Sequence, residues 1–232
     1  MVFFIDTFKR ALPPIFILLL ITGYTCFAQN RFGIAPQINT NFKVGTAWKV
    51  NSKIENRFVL YQNPDAESRA GYESSGVEVV VARNRGRLKN LGAGYRIRWS
   101  DKDGSFLHRA MQQYSLGQKF NGIQLVHRFK SDQTFEKNEP TQYRVGYRIG
   151  IEKPLSGLRV DPEEFYLKVN NEYVGILTNA KGNLEIKLLT ALGYNQSDNN
   201  QIEMGLDYRA KNLLGRGIGN QLWLKMGWYH SF

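Results

Sequence analysis

From Gln29 to the end of the chain, apolar and polar residues alternate with a period of two. In QYRVGYRIGIE, Tyr143, Val145, Tyr147, Ile149 and Ile151 alternate with Arg144, Gly146, Arg148, Gly150 and Glu152. LGAGYRIRW sets Leu91, Ala93, Tyr95, Ile97 and Trp99 against Gly92, Gly94, Arg96 and Arg98, and NLEIKL and IEMGLDYR repeat the arrangement. Successive side chains of a strand point to opposite faces, so this alternation predicts strands with one apolar face and one face of charge and glycine. Strands are predicted over residues 31–43, 47–61, 75–83, 88–100, 106–118, 121–132, 141–152, 163–170, 183–195, 200–210 and 220–232. Single-chain bacterial barrels usually close with an even number of strands. Eleven runs therefore point to about 10–12 strands, with a turn at Asn170-Asn171 inside EEFYLKVNNEYVGILTN as the first place where the count could be off.

Period alone leaves open which face is inside. A sandwich or lipocalin-like barrel in water buries its apolar face, whereas an outer-membrane barrel turns it to lipid and fills its lumen with polar groups. Four features favour the second. The polar face is rich in Arg, Glu and Gly, which suits a narrow interior. Trp48, Trp99, Tyr194, Tyr208 and Trp228 fall near strand ends, as interfacial aromatics do. Many runs have the length that a tilted strand needs to cross a bilayer. The last strand, LWLKMGWYHSF, carries Leu222, Leu224, Met226, Trp228, His230 and Phe232 on one face and ends on an aromatic carboxyl-terminal residue. On this reading Trp228, His230 and Phe232 form the signal for barrel insertion, and Trp223, Lys225, Gly227, Tyr229 and Ser231 face the lumen. The expected fold is an all-β, antiparallel up-and-down transmembrane β-barrel over residues 29–232.

Composition agrees with an ordered, strand-built chain. The 232 residues are 42% hydrophobic and 13% aromatic, yet mean hydropathy is −0.40. Beyond the first thirty residues no apolar stretch is long enough for a spanning helix. Residues 1–28 read as a cleaved signal peptide, with Lys9 and Arg10 as its basic flank, Ile15 to Ile21 as its apolar core and Cys26-Phe27-Ala28 as its cleavage site. This implies export to the bacterial outer membrane. Cleavage near Ala28 removes two cations, one anion and the single cysteine, so the net charge passes from +11 to +10 and the mature chain has no disulfide. Gly23-Tyr24-Thr25 lacks the usual residues before a lipidated cysteine. The excess of basic charge suits anionic head groups of outer-membrane lipid better than nucleic acid.

The candidate chemistry lies on the polar face. The inward register holds Lys49, Lys53, Glu55, Arg57, Glu78, Arg96, Arg98, Arg128, Arg144, Arg148, Glu152, Lys168, Glu185, Lys187, Glu203, Asp207, Arg209 and Lys225, twelve basic residues against six acidic. In a small barrel such a set must interlock as salt-bridged layers, because buried charges persist only when paired. Surplus positive charge must be hydrated or meet a small anion. His108, His127 and His230 are far apart and beside no acidic pair, which argues against a metal site. Ser115 lies on the lumen register and His127 on the lipid register, the wrong arrangement for a lipid-cleaving serine enzyme. RNRGRLK reads as a solvated basic turn, and NLGAGYR lacks the spacing of a phosphate-binding loop. The expectation is a barrel with no cofactor and no catalytic role, acting as a structural or loop-presenting scaffold with a largely filled lumen. The alternative is a narrow anion-preferring pore, followed by a lipid-acting enzyme or a soluble lipid-binding barrel.

NLGAGYRIRW, LVHRFK followed by QYRVGYRIGIEKPL, the LGYNQSDNNQIEMGLDYR hairpin and the final MGWYHSF together resemble the domain of unknown function 2490 family, small barrels of the outer membrane. The resemblance spans nearly the whole mature chain and rests on patterns of strand and turn. In that family a strand like LVHRFK tends to continue with more Arg and Glu, whereas here Ser131-Asp132-Gln133 follows, which implies a thinner charge cluster. The resemblance implies a fold and a location and no activity.

Overall fold

A computed structural model describes residues 29–63, 70–86, 88–101, 104–215 and 217–232. The expected signal segment, residues 1–28, lies outside the described residues. Every regular element among them is a strand: β1 Gln29–Val44, β2 Trp48–Gln62, β3 Gly71–Asn84, β4 Lys89–Ser100, β5 Phe106–Phe120, β6 Ile123–Glu136, β7 Gln142–Pro154, β8 Glu164–Thr178, β9 Lys181–Ser197, β10 Asn200–Lys211 and β11 Gly219–Ser231. Each pairs antiparallel with the next, and the sheet closes on itself through β1 and β11.

The closing pair is parallel, in register from Gln29 opposite Gly219 to Asn41 opposite Ser231. The cause is parity. Strand direction alternates along a meander, so an odd number of strands brings the first and last together pointing the same way. The eleven runs are eleven strands, within the expected 10–12, and the even count usual for bacterial barrels does not hold here. Asn170 and Asn171 make no turn, because β8 pairs through both with β7 and with β9. The turn falls at Asn179-Ala180, where both residues have positive φ, 47° and 60°. β6 also runs four residues past its expected end, to Glu136.

Odd parity also puts the start of β1 and the end of β11 on opposite rims. One rim carries Phe232 and the connections 45–47, 85–88, 121–122, 155–163 and 198–199; the other carries Gln29 and the connections 63–70, 101–105, 137–141, 179–180 and 212–218. We call these the C-terminal and N-terminal rims. Asn121-Gly122 at the C-terminal rim has φ of 40° and 80°, the two-residue turn whose twist matches that of its flanking strands.

Burial follows the sequence period with the polar face inside. In β10, Glu203, Gly205 and Asp207 are buried while Met204, Leu206 and Tyr208 are exposed. The largest fully buried side chains are only Trp223, Tyr166 and Val174, and most of the other buried positions are polar or charged. Outward aromatic rings lie at both rims and also at mid-strand, where Phe129 meets Tyr147 with centroids 5.0 Å apart. At the C-terminal rim Phe42 stacks on Phe232 with centroids 4.5 Å apart, and Phe165 meets Tyr194 at 4.9 Å. At the N-terminal rim Phe58, Tyr72 and Trp99 form a row with spacings of 5.6 and 5.4 Å.

Inward glycines make room for the two large buried rings. Tyr166 lies against Gly193, its partner on β9, where any Cβ would overlap the phenol ring. Trp223 lies against Gly33 across the parallel seam, and a Cβ there would come within 2.6 Å of indole Cζ3.

Candidate functional site

The interior charges form two main clusters. The first centres on Glu55 of β2, which is 3% exposed. Arg57 approaches it at 2.7 Å, Arg96 at 3.2 Å, Lys53 at 3.8 Å, and Arg98 and Lys225 at 3.9 Å. Register explains the convergence. Glu55 faces Gly76, and Gly76 in turn faces Arg98. Without a side chain at 76, the guanidinium of Arg96 can cross toward Glu55; an added Cβ would sit 3.4 Å from it. Lys225 also reaches Asp207 at 3.3 Å, and Asp207 accepts two hydrogen bonds from Arg209, at 2.7 and 3.2 Å. Ionised, fork-shaped pairs of this kind are the strong ones.

Asp132 of β6 organises the second cluster. Lys130, Arg109 and Arg144 stand 3.3, 3.4 and 3.6 Å from its carboxylate, and Arg144 continues to Glu185 at 3.2 Å. Arg109 also donates to the Thr134 hydroxyl at 2.8 Å. Beside this cluster Arg128 approaches Glu172 at 3.5 Å. Toward the C-terminal rim Glu203 accepts hydrogen bonds from Lys168 at 2.6 Å and from the Tyr166 hydroxyl at 2.9 Å. Gln37 donates to the Tyr229 hydroxyl at 2.7 Å. At the N-terminal rim Arg31 pairs with Glu73.

Between these groups lies a chamber of about 220 Å³, lined by thirteen Lys or Arg side chains, five Asp or Glu side chains, Met111, Gln113, Asn170 and Leu189. Of the inward charges predicted from sequence, Glu55, Arg57, Glu78, Arg96, Arg98, Arg128, Arg144, Arg148, Glu185, Lys187, Asp207, Arg209, Lys53 and Lys225 line it. Glu203 and Lys168 pair outside it. Glu152 is half-buried with no cation within 4.0 Å among the described residues, and Lys49 is exposed near the C-terminal rim.

Sequence reasoning passed over Arg109, Lys130, Asp132, Glu172 and Lys211, which take part in these clusters or line the chamber. Asp132 corrects the inference that the charge cluster thins after LVHRFK. Counting by twos from Arg128 through Lys130 to Asp132 and Thr134 places all four inside. The supposed turn at Asn170-Asn171 concealed Glu172 by cutting its strand short.

The other candidates lie apart from the clusters. Ser115 faces Arg128 across the β5–β6 ladder on the inward register. His127 lies on the opposite register, with Nδ1 2.7 Å from the Tyr147 hydroxyl. His108 meets Tyr95 at 3.0 Å, and His230 meets Asn200 at 2.7 Å. Among the described residues no three His, Asp or Glu side chains gather as a metal site requires. Trp228, His230 and Phe232 form one outward row, with ring centroids 5.7 and 4.3 Å apart. The Phe232 backbone N–H donates to the Asn41 carbonyl at 2.8 Å, which pins the chain end to the seam.

No match is found among curated proteins or among solved structures. The family model described as protein of unknown function (DUF2490) matches residues 32–218, from the fourth residue of β1 to the last residue before β11. The chain, whose described residues form eleven strands closed by a parallel seam, therefore belongs to the DUF2490 family.

Proposed function

We propose that the protein is a non-enzymatic barrel of the bacterial outer membrane, a structural scaffold that presents the longer connections of its N-terminal rim. The carrying observation is the inversion of the strands: ion-paired side chains lie inside, and Val77, Val79, Leu91, Ile97, Val145, Leu192, Met204 and Leu206 lie exposed outside. An aqueous surface rarely holds a contiguous apolar patch of more than a few hundred square ångströms, whereas acyl chains require one all round the barrel. The aromatic rows near both rims support the same reading, since such rings favour the head-group level. The outward row of Trp228, His230 and Phe232 supports recognition by the barrel-insertion machinery. With that end in the periplasm, connections 63–70, 101–105, 137–141 and 212–218 of the other rim face outward, while the longest, 155–163, stays on the periplasmic side.

Ion pairs and the rings of Tyr166 and Trp223 occupying the interior support a scaffold that passes no current. The thirteen-to-five excess of cations around the chamber favours a second reading, a narrow anion-preferring pore. Ser115 and His127 on opposite faces give a lipid-cleaving enzyme no paired nucleophile and base. A lipid-binding barrel in water needs an apolar interior, and this one is charged.

Fractionation of the cell envelope tests location, and planar bilayers test the role. The scaffold reading expects the chain in the outer-membrane fraction and no unitary conductance steps. Steps with an anion-selective reversal potential in a salt gradient would replace it by the pore, and recovery in the periplasmic fraction would overturn both.

A further inference from the structure

Besides the exposed Lys43 and Lys49 at the C-terminal rim, three pairs of adjacent strands set like charges directly opposite each other on the inward face: Arg128 and Arg148, Arg96 and Arg109, Lys187 and Arg209. Like charges directly opposite on neighbouring strands repel, and a buried cation without a counter-charge is costly. Two of these pairs are relieved by carboxylates. Arg96 leans on Glu55 and Arg109 on Asp132, while Arg209 is held by Asp207. Arg128 and Arg148 have less. Arg128, Arg148 and Lys187 share one carboxylate, Glu172, which stands 3.5 Å from Arg128 and faces Arg148 and Lys187 across the two ladders; among the described residues Arg148 has no carboxylate within 4.0 Å. The Nε atoms of both arginines are buried without a hydrogen-bond partner. Lys187 also has no carboxylate within 4.0 Å, and all three side chains line the same chamber.

Charge and volume point the same way. Thirteen cations against five carboxylates leave an excess of eight on the lining, or seven once Asp132, which pairs with three of those cations, is counted. A chamber of about 220 Å³ has room for a small anion together with ordered water. We infer that the chamber is a binding site for a small multivalent oxyanion of the phosphate type, held by Arg128, Arg148 and Lys187. The planar guanidinium fork matches the oxygens of a tetrahedral phosphate group, and a lysine adds a compact point charge. Chloride offers neither the valence nor the directional acceptors. The inference deepens the scaffold reading and rests on its packed interior. A bound anion there fixes the inward strands together as the ion pairs do elsewhere.

The test uses the full mature chain folded in detergent, with barrel closure checked by heat-modifiable gel mobility. Inorganic pyrophosphate is titrated by calorimetry at constant ionic strength set with chloride, and a phosphate-headed lipid in the same micelles serves as a second arm. The site predicts saturable binding near one equivalent and a rise in the thermal midpoint. Combining Arg148→Gln with Lys187→Gln should weaken binding at least tenfold with closure intact, and Lys49→Gln at the rim should leave it unchanged. If the double variant fails to close, Lys187→Gln alone carries the comparison, with a threefold or greater loss expected. A closed barrel that shows no saturable binding above chloride overturns the chamber site and leaves the membrane reading standing. Equal binding by the variants also overturns it, as does binding of the lipid alone.

Discussion

The indole of Trp223 lies against Gly33, its direct partner across the only parallel pair in the barrel, and the guanidinium carbon of Arg57 stands 5.1 Å from the ring centroid. A large ring here depends on an absent side chain on the neighbouring strand. Gly33→Val should therefore block closure or displace the ring, because the new methyls enter space that the indole occupies. Trp223→Ala should cost ~3–5 kcal/mol, the usual range for emptying a buried Trp site. Denaturant unfolding of the lipid-reconstituted barrel, followed by loss of heat-modifiable mobility, measures both.

Glu55 is the shared counter-charge of five cations. Removing one partner of a buried ion pair leaves the other charge uncompensated, so Glu55→Gln should destabilise the barrel by ~3–5 kcal/mol. Adding Arg96→Gln in the same chain should recover part of that loss, since it removes one of the stranded charges. A double-mutant cycle on unfolding free energies checks this, and strict additivity would mean that the two residues do not interact.

Ala180 turns β8 into β9 with φ of 60°, a conformation that costs an L-residue roughly 1–2 kcal/mol and glycine little. Ala180→Gly should stabilise the barrel by about 1 kcal/mol, with the gain read in the unfolding midpoint. The sequence offers no hint of this turn, because Asn179-Ala180 is a weak turn signal beside the more suggestive Asn170-Asn171. That contrast marks what is legible in such a chain. A period of two places strands and faces well, so Glu55, Arg96 and Asp207 can be assigned inward from the alternation alone. Where the alternation blurs, as around Arg109, where Met111 points inward and Gln112 outward, the charge is missed. Parity is hidden more deeply. Each strand is set by local pattern, but whether the ends meet parallel or antiparallel depends on the count of all of them.

Odd parity places Gln29 and Phe232 on opposite rims, which makes a topological prediction. With cysteines introduced one at a time at Asn138, on the N-terminal rim, and at Asn121 or Asn199, on the C-terminal rim, a membrane-impermeant thiol reagent on intact cells should label only the first. Labelling at Asn121 and Asn199 with none at Asn138 would mean the reverse orientation. Labelling at all three would mean that the chain does not span.

Phe232 stacks on Phe42 with planes 3° apart and closes the outward row begun by Trp228 and His230. Phe232→Ala should lower the amount of barrel assembled in cells several-fold, while the unfolding midpoint of the assembled fraction falls only slightly. Comparing heat-modifiable and unassembled bands in whole-cell extracts separates the two effects.

The inverted packing is tested most directly by the tryptophans. Trp228 points outward, and Trp223 is 0% exposed inside the barrel. Two chains are made, each retaining one of these and carrying Phe at the other three tryptophan positions, and reconstituted in bilayers containing brominated lipid. Strong quenching of Trp228 fluorescence is expected, with Trp223 several-fold less affected and also shielded from aqueous acrylamide. Equal quenching of both by the lipid, or a compact fold in plain buffer with Trp228 reached only by acrylamide, would contradict the inverted packing.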